Sequence, residues 1–173
     1  MLRAQVLILT LILAFPALAQ EAEPPMTIER MAEIVVALDP EVQITGTSFG
    51  LTIDGTPVLI VTDLAADRMR AMVHIRPAAD LSAEELQRLM QANFDSALDA
   101  RYAIARGQVW GVYIHPFSPL EKDQFISGLG QAVNVAKTYG TLYTGGATQF
   151  GGGDSPGLQR QLLDDLLKKG EEI

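Results

Sequence analysis

Residues 42–75 read VQITGTSFGLTIDGTPVLIVTDLAADRMRAMVHI, and the two-residue period in this stretch decides the fold. Val42 and Ile44 alternate with polar neighbours, and Phe49, Leu51 and Ile53 repeat the pattern. Such alternation places apolar side chains on one face of a half-buried strand. Between the two runs, across 46–49, the phase slips by one residue. An uncorrected slip would turn the apolar side to water, so a bulge or kink is expected near Gly46 or Gly50. Asp54-Gly55-Thr56-Pro57 reads as a turn, 58–61 as a continuous apolar strand and 65–67 as a second turn. Met69, Ala71, Val73 and Ile75 then alternate with Arg70, Met72 and His74. The expectation is an antiparallel meander of three strands.

Working outward, the period changes to that of helices. Upstream, Thr27 is placed to cap a helix striped by Ile28, Met31, Ile34, Val35 and Leu38, and Asp39-Pro40 stops it. Downstream, Ser82 and Glu85 form a capping box, with Leu81 and Leu86 as its hydrophobic staple. The apolar face of that helix comprises Leu86, Leu89, Met90, Phe94, Ala97 and Leu98, with Asn93 among them. Residues 101–114 read as a hairpin turning through Arg106-Gly107-Gln108. Ser118, Pro119 and Glu121 open a third helix with the stripe Phe125, Ile126, Leu129, Val133 and Ala136, ended by Gly140. Ser155-Pro156 starts a last helix striped by Leu158, Leu162, Leu163, Leu166 and Leu167. The predicted class is α+β: a largely antiparallel five-stranded sheet with helices packed on it, in the order α-βββ-α-ββ-α, plus a C-terminal amphipathic helix. The expected organisation is a signal peptide over 1–19, a short mobile leader over 20–25, one domain over 26–144, a Gly-rich linker over 145–154 and the last helix over 155–173.

The signal reading rests on Arg3, the apolar run 6–15 and small residues at 17 and 19 before Gln20. The run is short for a bilayer span, which needs about 20 apolar residues, so an uncleaved anchor is the weaker alternative. With no Cys in the chain, a lipid-anchored cysteine and disulfides are excluded. Cleavage leaves 154 of 173 residues, with twelve Lys and Arg against 21 acids, a formal charge of −9. That field repels phosphate backbones and anionic lipid, which argues against nucleic-acid binding and stable membrane insertion. The expected location is the periplasm or the extracellular space.

The sequence contains no catalytic signature. His74 and His115 are the only histidines, and the functional reading makes them a shared general base or metal pair for a small hydrolase. No zinc motif accompanies them, so surface and strand-end roles are favoured, with no metal and no cofactor expected. The glycines at 145–146 and 151–153 lack the residues of a phosphate loop and read as linker. Asp54, Asp63 and Asp67 cluster near turns but lack the spacing of a calcium loop. Four features point instead to surfaces. Trp110 and Tyr113 point to opposite faces of one strand, and either can anchor a partner or pack in the core. Asn93, on an apolar helix face, must pair if buried, and either pins the neighbouring hairpin or marks a dimer seam. The Leu158, Leu162 and Leu166 stripe must be buried, on its own domain or in the groove of another chain. A small apolar ligand held between sheet and helices is the further alternative.

Asn93-Phe94-Asp95, 100–104 (ARYAI), Gly107-Gln108-Val109-Trp110 and His115-Pro116, set in this order of elements, resemble the YbjN-type family with its type III secretion chaperone-like fold. The similarity spans roughly 27–140. It implies a compact α+β domain that often dimerises, binds proteins or peptides and has no enzymatic activity. The secretion chaperones act in the cytoplasm, so the fold and the habit of protein binding carry over to a chain with an export leader, and a client does not.

Overall fold

The computed structural model describes residues 23–95, 97–140 and 156–171. The signal peptide and the Gly-rich linker therefore lie outside the described residues. The chain is α+β, with the elements α1 (Ile28–Leu38), β1 (Gln43–Thr45), β2 (Ser48–Ile53), β3 (Thr56–Asp63), β4 (Arg68–Pro77), α2 (Ala83–Asp95), β5 (Arg101–Ala105), β6 (Gln108–Pro116), α3 (Lys122–Lys137) and α4 (Pro156–Gly170). The strands form one antiparallel sheet in the order β1-β2-β3-β4-β6-β5.

There are six strands where five were expected, and the extra one comes from the phase slip at 46–49. The slip is a hairpin turn, not a bulge: Thr45 pairs with Ser48 across the two-residue loop Gly46-Thr47, and Gly46 has φ +58°. Glycine at the first loop position adopts that conformation without the clash of a Cβ. Each strand then keeps its own phase, and the chain reverses instead of kinking. The sheet's one register shift lies in β4, between His74 and Arg76.

The helices cover one face of the sheet. Phe49, Leu51 and Ile53 of β2, Val58 and Ile60 of β3, Met69, Ala71 and Val73 of β4, and Val109 and Tyr113 of β6 alternate into the core. They meet Met31, Ile34, Val35 and Leu38 of α1 and Phe125, Ile126, Leu129 and Val133 of α3. Thr27 caps α1 by accepting the Arg30 N–H at 3.2 Å. The Ser82–Glu85 capping box closes in both directions, at 3.0 and 3.1 Å, and the Ser82 N–H donated to the Glu85 carboxylate is the first cause holding that carboxyl below its usual range.

The start of α3 differs from expectation. Its cap is Glu121, whose N–H donates to Gln124 Oε1 at 3.3 Å. Ser118 is taken by a tertiary contact: its N–H and hydroxyl both donate to the Asp67 carboxylate, at 2.7 and 2.8 Å. The leader is tied down from Glu23 onward. The Glu23 carboxylate accepts the Lys122 N–H at the start of α3 and pairs with Arg30, and these contacts lower its pKa against the opposing effect of burial.

α4 folds back on its own domain. Leu166 is buried, and Leu163 and Leu166 lie over Gly130 of α3. Lys122 Nζ donates to the Gly170 carbonyl at 2.8 Å, as cations near helix C-termini do. α3 is thus packed on both sides, by the sheet and by α4, and is buried from Gly128 to Val133.

Candidate interaction surfaces

Asn93 is a pin. β5 is an edge strand, and Tyr102 turns its N–H and C=O outward from the sheet. The Asn93 side chain meets both: its Oδ1 accepts the Tyr102 N–H at 2.7 Å, and its Nδ2 donates to the Tyr102 carbonyl at 3.0 Å. The amide pairs as a neighbouring strand would and fixes α2 along the edge, which blocks edge-to-edge association at that position. Asn93→Ala leaves both backbone groups without their protein partner. The expected cost is about 1–3 kcal/mol, reduced toward the lower figure where water reaches them, and a urea unfolding curve measures it.

With α2 beside the sheet instead of over it, the helix buries only part of its apolar arc. Leu89 and Ala92 face inward. Leu86, Met90, Phe94 and Leu98, also on the apolar face read from the sequence, are 41%, 50%, 72% and 46% exposed. Their positions were visible in the sequence, but their exposure follows from where α2 docks, which helical periodicity does not determine.

The second surface is the sheet face that carries no helix among the described residues. Leu59, Met72, His74 and Trp110 meet there, around a hollow of about 560 Å³. Trp110 Nε1–H donates to the Ala105 carbonyl at 3.1 Å, and its ring takes the His74 imidazole edge-on, with centroids 5.3 Å apart. His74 Nε2 lies 2.7 Å from Gln108 Oε1. Trp110 is thus on the open face, while Tyr113, three residues on, is buried toward α3.

The third place is a polar hollow of about 700 Å³ where β6 runs past the end of β5. It is lined by Tyr113, His115, Ser127 and Gln131 among others. His115 stacks near Tyr113, with centroids 6.0 Å apart, and its Nδ1 lies 2.8 Å from the Pro116 carbonyl. A carbonyl only accepts, so Nδ1 carries the proton. Burial, with the Asp99 charge adding to it, pushes the Tyr113 hydroxyl up to about 12. Gln131 is committed to structure: its Oε1 accepts the Asp99 and Ala100 N–H groups, and its Nε2 donates to Asp99 Oδ2 and Ser127 Oγ.

The two histidines are not brought together. His74 pairs with Trp110 across the β4–β6 ladder and His115 pairs with Met69, which puts the rings on opposite faces and about 16 Å apart along the strands. A shared base or a joint metal ligand set is excluded by that geometry. Among the described residues no group of three or more His, Asp or Glu is arranged to hold a metal. Asp54, Asp63 and Asp67 are engaged separately, with Lys137, with the Ala66 N–H and with Ser118. Both hollows described here are open to the outside, and neither is an enclosed cavity between the sheet and the helices that cover its core. Of the leucine stripe, Leu166 is buried in its own domain and Leu162 is partly buried against the core. Leu158 lies outside the described side chains. No described helix is long and apolar enough to cross a membrane.

No family model and no curated protein matches the chain. The chain is similar to a chain in the solved structure of the HopA1–SchA chaperone–effector complex, with 14% identity and a TM-score of 0.46, over 65% of this chain and 86% of that one.

Proposed function

We propose that this chain is an exported, non-catalytic module that binds other polypeptides, the chaperone-like role its resemblance to the YbjN-type family implies. The observation that supports this reading is the α2 stripe. Leu86, Met90 and Phe94 recur every fourth residue, with Leu98 continuing past the helix end, and each exposes at least two fifths of its surface. Single exposed apolar residues are ordinary, but a contiguous row ending in a phenylalanine marks an interaction site. Covering such a row is worth about 25 cal/mol per Å² of apolar surface removed from water. An amphipathic partner helix suits it, and so does the same stripe on a second copy, since a two-fold pair meets through identical patches.

The test uses the full chain, exported from cells, with a photo-crosslinking phenylalanine analogue in place of Phe94 or of the exposed Glu33 on α1. The expected result is a mature chain beginning at Gln20, with a discrete polypeptide adduct or a cross-linked dimer from position 94 and none from position 33. A chain that retains Met1, or equal labelling at both positions, would sink the proposal.

A further inference from the structure

We infer that the open sheet face is a second docking surface, selective for an acidic polypeptide segment that carries apolar side chains. The inference rests on the protein-binding reading above and assigns the chemistry of the partner. The apolar part consists of Leu59, Met72, Trp110 and Ile114, all on one face by the ladder registers. Trp110 is held by its own hydrogen bond and by His74, so it offers a fixed aromatic anchor with little ordering left to do on binding.

The charge on this face is opposite to that of the molecule. Arg70 lies between Val61 and Ile114, and Arg101 lies beside Val112. Both are exposed. Among the described residues Arg30 pairs with Glu23, Arg76 with Asp80 and Glu85, Arg88 with Glu84 and Lys137 with Asp54, while Arg68, two residues before Arg70 on the same face, adds a further cation. Arg70 and Arg101 have no ion pair among the described residues; Arg101 has only a hydrogen bond from Nη1 to the Ala100 carbonyl. Two unpaired guanidinium groups flanking an apolar, aromatic floor complement carboxylates spaced along an apolar segment. Of the acids near the face, Asp63 pairs in register with Arg68 and accepts the Ala66 N–H, Asp99 borders the hollow that Arg101 lines, and Asp39 and Glu41 stand at the opposite end. Asp39 is saturated by the Glu41 and Thr52 N–H groups, at 3.0 and 2.7 Å, so Glu41 is the charge that would repel an acidic segment there. The partner therefore lies over β4, β6 and β5. An anionic membrane is the poorer match: a net charge of −8 opposes the approach, and Trp110 lines a hollow where a membrane anchor would protrude.

Trp110 is the only tryptophan in the chain, so its emission reports on the face directly. The probe is a short synthetic peptide alternating glutamate and leucine, titrated into the mature chain beside its lysine analogue and phosphatidylglycerol vesicles. The expected result is a saturable blue shift with the glutamate peptide that weakens with salt. Binding should fall about tenfold or more in the Arg70→Glu, Arg101→Glu double variant, whose circular dichroism should match that of the parent. It should be unchanged in Phe94→Asp, which disables the α2 stripe. An unaltered emission, equal binding of the lysine peptide, or a response to the vesicles in place of the peptide would overturn the inference. Loss in Phe94→Asp with none in the arginine variant would also overturn it, and would leave the α2 proposal standing.

Discussion

Gln131→Leu should lower the unfolding free energy by about 3 kcal/mol, with a change in urea midpoint and little change in slope. Gln131 is 5% exposed, and its amide links α3 to the turn that leads into β5. Leucine fills the volume but leaves the Asp99 and Ala100 N–H groups without an acceptor and Asp99 Oδ2 without its donor. A buried N–H left unpaired costs about 1–3 kcal/mol, less where Asp99 admits water. Gln131→Glu separates the two duties of the amide. The carboxylate still accepts both N–H groups, but it faces Asp99 Oδ2 where Nε2 donated at 3.1 Å. Two carboxylates that close cannot both ionise freely, so the introduced acid has a folded pKa above its unfolded value of about 4.3. A raised acid pKa means that stability is present below the unfolded pKa and is lost as pH rises through the folded one. The Glu variant should therefore match the parent more closely at pH 4 than at pH 8. Because Asp99 is exposed, the difference should be about 1 kcal/mol. An equal deficit at both pH values would show that the pair does not interact.

The parts of the fold legible in the sequence are those that local chemistry dictates. Thr27, the Ser82–Glu85 box and the Asp54-Gly55 turn each act within a few residues, and each forms as the pattern requires. The features that were not legible depend on partners distant in sequence. A one-residue slip at Gly46 fits a bulge or a tight reversal equally well, and only the pairing of Ile44 with Phe49 decides it. Ser118 satisfies every local rule for a cap, but Asp67, 51 residues away, takes both of its donors. The α2 arc shows which residues are apolar and not which of them the sheet covers. Arg70 was visible as a polar position of β4, but that its face lacks a helix is a property of the whole topology. The candidate surfaces were thus half visible: Trp110 and Asn93 could be named, but the Phe94 stripe was read only as the apolar face of its helix.

Gly111→Ala and Gly128→Ala should both destabilise, by about 1–3 kcal/mol each, against the direction that intrinsic propensity gives. Alanine at an exposed helical glycine gains about 1 kcal/mol, and glycine weakens a strand interior. Here both glycines lie where α3 crosses β6. A Cβ on Gly111 would stand 2.9 Å from the Ala132 carbonyl oxygen, a backbone atom of α3 that no rotamer change can move. A Cβ on Gly128 would stand 2.2–2.5 Å from three atoms of the buried Tyr113 ring, which must shift or be lifted clear. Relief at Gly111 requires α3 to lift from the sheet, which also frees Gly128 from Tyr113 and moves the helix against α4, seated on Gly130. Because one displacement relieves both clashes, the double variant should cost less than the sum of the two singles. Tyr113→Leu, which removes the ring atoms nearest Gly128, should cost less in the Gly128→Ala background than in the parent. Thermal unfolding of the four chains measures that coupling. Strict additivity would mean that the helix does not move as a unit and that the contact between Gly128 and Tyr113 does not set its height above β6.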